Sequence, residues 1–487
     1  MSLSGPQSPQ AAPAWKQLLA LLSLVLSGLL WINGLLDSLQ RPSVGDALAL
    51  RQLELTVLAA PAVPPPLRPL LDGEAPASHL REELSKQRDQ GQPPLPPAQV
   101  LELALLNNQA GQQSQATALL NELAGQVDPQ QRRLLQALGA INRDDPGANS
   151  PITNTVPLAG GWTLSPLQHQ LVCQRLGELA GSSPQPVAGS LCATLNEPAA
   201  LAKLQRQALV RLVGVSVAPV GLLLVGSALL LRQIWKRWRR QLPGPPPLLG
   251  PPQDLVDVTL LVAGGFVVCG ELLTPLVLAP LLQSGLGRLA GDPSLQQAVA
   301  VLGMYLGLMS LPLLILWAQL RHQGTPPLGG WLQWRWRPLG PTIRSGLQHV
   351  LMVLPLVALV GWLIDTVVGN GSGSNPLLDL VLNTPNPLAL ALFAVTAIVL
   401  APLFEETLFR GVLLPVIGQR YGGFWAVVVS ALVFGIAHLS LGELPALVVL
   451  GLGLGWLRLH SGRLAPSVVM HGLWNGLTFV NLLLLAG

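Results

Sequence analysis

The sequence predicts an all-α polytopic membrane protein, with about eight to nine transmembrane helices and a helical, partly disordered extramembrane insertion between the first two. Three observations predict it. Half of the 487 residues are hydrophobic and only 11% are charged, against about 25% in soluble domains. The apolar residues gather into runs long enough to cross a bilayer. Between the first two runs the composition turns to Gln, Pro and Ala. The net charge of +4 reflects loop arginines. No stripe of basic and aromatic residues points to RNA or DNA, so no nucleic-acid partner is expected.

Residues 1–36 form a tail and a first span. Residues 1–13 are polar and Pro-containing and are expected to be disordered. Leu18–Leu36 is apolar and follows Lys16. Asp37-Ser38-Leu39-Gln40-Arg41 comes next, without a small-residue cleavage site, so this is read as an uncleaved helix rather than a secretory signal.

Residues 37–208 are read as the extramembrane region. Pro61–Pro69 and Pro93–Pro97 read as extended linkers. Ala98–Ile141 carries apolar residues at helical spacing: Leu101, Ala104 and Leu105, then Leu119, Leu120 and Leu123, then Leu134, Leu135 and Leu138. Two or three short antiparallel helices would bury those faces. The region reads as a passive helical insertion in preference to a substrate-recruiting module. Cys173 and Cys192 lie here, and Cys269 lies in an apolar run; none has metal-ligand spacing. A Cys173–Cys192 disulfide would need an oxidising, extracytoplasmic location; two unpaired thiols are the preferred expectation.

Residues 209–346 hold spans two to four. Leu209–Leu231 is followed by Arg232, Lys236, Arg237, Arg239 and Arg240, the densest basic cluster, which reads as a cytoplasmic topology signal. That places the N-terminus in the cytoplasm and residues 37–208 outside it. Pro243–Pro252 reads as a stiff linker. Leu255–Leu282 and Ala298–Trp317 follow, with Gly303 and Gly307 as a small-xxx-small pair. The next loop carries Arg321, Arg335, Arg337 and Arg344, with Trp331, Trp334 and Trp336 as an interfacial belt.

Residues 347–487 are almost wholly apolar. Spans are expected at Leu347–Val368, Leu388–Phe404, Phe424–Leu439, Leu444–Leu459 and Leu464–Leu485. Gly451, Gly453 and Gly455 read as a helix packing face, since no strand precedes them.

Within this region Glu405-Glu406-Thr407-Leu408-Phe409-Arg410 stands out. Ionisable groups at membrane depth cost about 2.5–3.5 kcal/mol each on insertion scales, and by default mark a working site. Glu406 and Arg410 are four apart and can pair on one helix face. Glu405 is turned roughly 100° away and is left free for chemistry. Pro402 and Pro415 bracket the segment and can open the helix. His438 shares a helix face with Phe434, and His471 shares one with Asn475. Singly each histidine fits a core position; with the two glutamates and the arginine they form a constellation. There is no HExxH and no GxSxG. A Ser467–His471 dyad can be drawn, but Ser467 is expected to bond back to its own helix. His322 and His460 read as interfacial.

EExxxR at Glu405–Arg410, FxxxH at Phe434–His438 and HxxxN at His471–Asn475 together resemble the CPBP family. These are the CAAX-processing and bacteriocin-processing intramembrane endopeptidases, relatives of the type II CAAX prenyl protease. The resemblance covers roughly Leu388–Leu482. It implies an all-helical fold with a polar cavity and a peptide or protein substrate met at the bilayer. It assigns Glu405 the role of essential base, and His438 that of helping it activate water. It assigns His471 and Asn475 to the oxyanion, with Glu406, Arg410 and Phe434 in support. Withdrawal from water strengthens a carboxylate as a base, which suits work near neutral pH. Metal-free water activation is the preferred expectation; the alternative is Zn2+ held by Glu405, His438 and His471. Two readings outside this class stay open: a non-catalytic scaffold or immunity factor, and a proton-coupled transporter. Convergence of His438 and His471 requires tilted, broken or offset helices, because one falls late in its span and the other early.

Overall fold

The computed structural model describes residues 12–41, 44–70, 75–90, 95–125, 134–135, 138, 164–179, 192, 198–286, 291–368 and 376–486. Helices account for the secondary structure among them, with no strand. In chain order these are α1 (Ala14–Ser38), α2 (Val44–Ala59), α3 (Pro76–Gln90), α4 (Pro97–Gln109), α5 (Gln113–Ala124) and α6 (Pro166–Leu179). Then come α7 (Pro198–Trp238), α8 (Leu255–Leu286), α9 (Pro293–Leu320), α10 (Leu339–Val368), α11 (Pro376–Leu382) and α12 (Pro387–Tyr421). The last three are α13 (Gly423–Ile436), α14 (Leu444–Ser461) and α15 (Ala465–Ala486).

Eight of these, α1, α7, α8, α9, α10, α12, α14 and α15, are long and apolar enough to cross a membrane. The chain is a multi-pass membrane protein. Its first helix is inside-out relative to a soluble protein. Leu18, Leu22, Leu29, Ile32 and Leu36 face outward while Ser23 and Ser27 are buried. Ser27 donates to the Ala263 carbonyl of α8 at 2.9 Å. Lipid is as apolar as leucine, so small and polar residues serve as the contact surface between helices. Gly303 and Gly307 behave as expected: a Cβ on Gly307 would stand 2.5 Å from Leu278 and 2.8 Å from Thr274.

The chain divides into two compact units: Met1–Gly45 with Val220–Leu482, and Asp46–Pro219 with Leu483–Gly487. In the first, the core runs from Val258, Phe266 and Met309 through Val350, Phe404, Phe409 and Phe434 to Leu454 and Met470. Several helix boundaries differ from the hydropathy reading. α12 does not end at Phe404 but continues to Tyr421, so the acidic pair sits within a helix. α13 spans only 14 residues, ends before His438, and is too short to cross a bilayer. α7 starts at Pro198, ahead of the apolar run. The segment read as a stiff linker is packed down. Leu248 lies against Leu414, Ala426 and Val427, and the Leu249 carbonyl accepts from Arg458 Nη2 at 2.8 Å.

The second unit has its own core. Leu50, Leu55 and Leu58 of α2, Leu80 and Leu84 of α3, Leu101 and Leu105 of α4, and Leu119, Leu120 and Leu123 of α5 meet there. Leu134, Leu135, Leu138, Leu167, Leu171 and Val172 join them. The expected apolar faces do pack. The first expected extended linker does not hold, since Ala60–Ala62 and Pro65–Leu70 wind into 3-10 turns; the second lies partly outside the described residues, with Pro96 extended and Pro97 opening α4, where its missing N–H costs nothing. The expected free thiols are also corrected, since Cys173 and Cys192 form a disulfide. The expected disorder of residues 1–13 falls almost wholly outside the described residues.

Candidate active site

α12 carries the acidic pair on a short α-helical stretch, Ala401–Glu406, between two π-helical stretches, Val395–Leu400 and Thr407–Leu413. Proline explains the first. In α register the carbonyl of Ile398 would take the N–H of residue 402, and in π register that of Ala397 would. Pro402 has no N–H to give. α15 answers the Ala397 carbonyl and packs closely against that of Ile398. Asn475 Nδ2 donates to the Ala397 oxygen at 2.7 Å. Gly472 lets the backbones close, because a Cβ there would stand 2.9 Å from the Ile398 oxygen. The same contact fixes the depth of His471 against Glu405 and Glu406.

Glu406 and Arg410 pair as their spacing predicts, Arg410 Nη1 donating to Glu406 Oε1 at 3.0 Å with both side chains fully buried. Arg410 Nη2 donates to the Gly451 carbonyl at 3.1 Å, and its guanidinium lies 4.5 Å from the Phe434 ring centroid. The Gly451 face is tight as expected, a Cβ there reaching 2.9 Å from Ala431 Cα.

His471 Nδ1 sits 2.9 Å from Glu406 Oε1, and its Nε2 lies 3.9 Å from Glu405 Oε2. Each histidine tautomer follows from its partner. A carboxylate paired with arginine and a backbone carbonyl can only accept. His471 Nδ1 therefore carries hydrogen toward Glu406. His438 Nδ1, 2.8 Å from the Phe434 carbonyl, carries hydrogen toward it. Nε2 is the open nitrogen of each ring. The Phe434 ring lies against both imidazoles, 4.8 Å from His438 and 5.5 Å from His471 by centroids. The depth mismatch feared from span counting is resolved by the early end of α13, which leaves His438 in the turn beyond it.

Glu405 is not as free as its helix position implied. The Tyr305 hydroxyl of α9 donates to Glu405 Oε1 at 3.3 Å, while Oε2 has no hydrogen-bond partner. Phe266, Phe404, Phe409 and Tyr305 form an aromatic wall beside it. Sequence reasoning missed Tyr305, although one of only two tyrosines in the middle of an apolar span was a signal. It also missed Arg458, fully buried, which donates Nε to the Arg410 carbonyl at 3.2 Å. Ser467 bonds to the Leu454 carbonyl of α14 at 3.2 Å, not to its own helix as expected, and not to His471.

The structure thus gathers Glu405, Glu406, Arg410, Phe434, His438 and His471, with Asn475 one turn along α15 from His471. Among the described residues no three His, Cys, Asp or Glu side chains are grouped to hold a metal ion.

Residues 387–477 match the family model described as Type II CAAX prenyl endopeptidase Rce1-like. The carboxy-terminal helices resemble the CPBP family. All three motifs of the CPBP-like segment fall inside the match. Residues 45–193 match a domain of unknown function, DUF8675, which coincides with most of the second compact unit. No curated protein and no solved structure matches the chain.

Proposed function

We propose that the CPBP-like segment hydrolyses a peptide bond in a protein or peptide substrate at the membrane, using water activated by Glu405. The observation that carries this reading is His471. Brought from α15, its ring spans both glutamates, 2.9 Å from Glu406 and 3.9 Å from Glu405. A water oxygen within hydrogen-bond reach of Glu405 Oε2 and His471 Nε2 fits across that gap. Glu405 takes its proton as the oxygen attacks the scissile carbonyl carbon. His438 and His471 present Nε2 as acceptors that orient the hydrogens of the water, and each donates to the developing oxyanion only once its Nε2 has taken a proton. The proton on Glu405 then passes to the leaving amine, giving a carboxylic acid and an amine and restoring the Glu405 carboxylate. Tyr305 holds Glu405, and Glu406 with Arg410 holds His471.

In this reading the N-terminus is cytoplasmic and residues 37–208 lie on the opposite side. Two observations support that: the basic clusters after α7 and α9, and the Cys173–Cys192 disulfide, which persists in oxidising compartments.

A non-catalytic scaffold reading draws on one observation. Asn475 already spends a donor on the Ala397 carbonyl, as a purely structural amide would. One experiment separates the readings. Peptides from membranes of the wild type are compared with those from Glu405→Gln and His438→Ala strains. Cleavage products present only in the wild type support the peptidase; identical products in all three leave the scaffold.

A further inference from the structure

The end of the membrane unit remote from His438 holds three arginines that the peptidase chemistry does not use. Arg335 lies in the loop between α9 and α10, Arg458 in the last turn of α14, and Arg463 in the turn between α14 and α15. They share one neighbourhood. Arg335 Nη2 donates to the Gly462 carbonyl at 3.1 Å, and its charge acts on both Arg458 and Arg463. Every hydrogen bond these arginines make goes to a neutral oxygen. Arg458 contacts the carbonyls of Arg410 and Leu249. Arg463 Nη1 contacts Thr342 Oγ1 at 3.1 Å and the Arg337 carbonyl.

Among the described residues no carboxylate pairs with any of the three. Two buried donors, Arg335 Nε and Arg458 Nη1, have no partner. Three gathered positive charges, one fully buried, are costly without a counter-charge. A topology signal accounts for exposed residues such as Arg232, but not for Arg458 with no exposed surface. A trapped water could bridge the open donors to Gln333 Oε1, which is also buried and unpartnered. It would leave the charge unbalanced.

We propose that Arg335, Arg458 and Arg463 form a binding site for a phosphate group. Guanidinium forks match phosphate oxygens in planar, paired hydrogen bonds. The site's place in the protein favours a phosphate carried by lipid. Trp334 and Trp336, whose rings stack at 6.0 Å, flank Arg335, and such tryptophans lie at headgroup level. Basic pockets between membrane helices take anionic headgroups. The inference stands apart from the peptidase reading and from Glu405.

The test uses the full-length protein in nanodiscs. One arm compares phosphatidylcholine alone with phosphatidylcholine plus phosphatidylglycerol; a second adds inorganic phosphate to the first, against chloride at equal ionic strength. Melting temperature and phospholipid retained in native mass spectra are read. Phosphatidylglycerol is expected to raise the wild-type melting temperature and to be retained. Arg335→Gln and Arg463→Gln are each expected to weaken its binding by about tenfold, the scale of one charge-assisted hydrogen bond. Arg232→Gln, outside the cluster, should respond as the wild type does. Stabilisation by inorganic phosphate alone keeps the site and makes a free phosphate its ligand. The proposal is overturned if neither arm shifts the wild type, or if Arg463→Gln responds as the wild type does. Arg463 is partly exposed, so that variant reads the site even where Arg335→Gln does not fold.

Discussion

His471 Nδ1 lies 2.9 Å from the same Glu406 oxygen that Arg410 Nη1 contacts at 3.0 Å. One carboxylate oxygen therefore joins α12 to α15 while neutralising a buried guanidinium. Removing one member of such a buried set costs about 3–5 kcal/mol, because the other charge is left uncompensated. Glu406→Gln is expected to lower the melting temperature of the detergent-purified protein sharply. Adding Arg410→Met should restore much of the loss. Unchanged melting in the single variant would mean the pair contributes nothing.

Tyr305→Phe removes only the hydroxyl that donates to Glu405 Oε1. Folding should be untouched, since the ring keeps its contact with Phe404, 6.5 Å by centroids. A neutral-to-charged hydrogen bond is worth about 1.5–3 kcal/mol. Cleavage by the Tyr305→Phe variant is expected to fall by about tenfold or more. Wild-type turnover would show that Glu405 is positioned by other contacts.

Gly472→Ala would place a methyl group 2.9 Å from the Ile398 oxygen and push α15 away from α12. His471 and Glu405 remain present but move apart. The expected result is a lower melting temperature with cleavage lost more completely than in Tyr305→Phe. Wild-type cleavage by Gly472→Ala would show that the fit between these helices is not required.

The Cys173–Cys192 link closes a sequence separation of 19 residues. A loop of that size contributes about 3 kcal/mol by constraining the unfolded chain. Reduction, or Cys173→Ser, should increase proteolysis within residues 46–219. In intact cells neither cysteine should react with an impermeant maleimide until an external reductant is added. Immediate labelling contradicts the disulfide, and labelling only after lysis contradicts the proposed topology.

Glu102 of α4 is fully buried and accepts from Gln168 at 2.8 Å. Burial first, and then the neighbouring Glu54 carboxylate, push its carboxyl up to about 8, against the opposing pull of Gln168 and Arg51. A carboxyl raised on folding binds its proton more tightly in the folded state. Its stabilising effect is present in full at low pH and is lost as pH rises through that value. Amide protection in α4 and α5, corrected for the intrinsic base-catalysed exchange rate, should therefore be greater at pH 6 than at pH 9. Glu102→Gln should flatten this dependence; an unaltered slope in that variant assigns the effect to other groups.

Much of the membrane unit was legible because its signals are local. A run of leucines announces a span, Glu406 and Arg410 meet because four residues make about one helical turn, and Gly303 and Gly307 mark a close approach. Errors came where local signals were read too far. Phe404 looked like the end of a span because charge follows it, yet α12 continues because Glu406 and Arg410 satisfy each other. Pro61–Pro69 looked extended, but it winds into 3-10 turns at Ala60–Ala62 and Pro65–Leu70. The cysteines looked unpaired because pairing depends on how α6 meets a distant segment.

By itself, the sequence determined that the chain is helical, that it crosses the membrane repeatedly, and that Glu406 answers Arg410. These follow from hydropathy and from the pitch of a helix. Only the tertiary structure decided that His471 faces both glutamates, that Tyr305 reaches Glu405, and that Arg335, Arg458 and Arg463 converge. The reason is that lipid is indifferent to which apolar face it touches. Lateral order among the helices is set by a few small residues and buried hydrogen bonds, whose partners lie tens to hundreds of residues away.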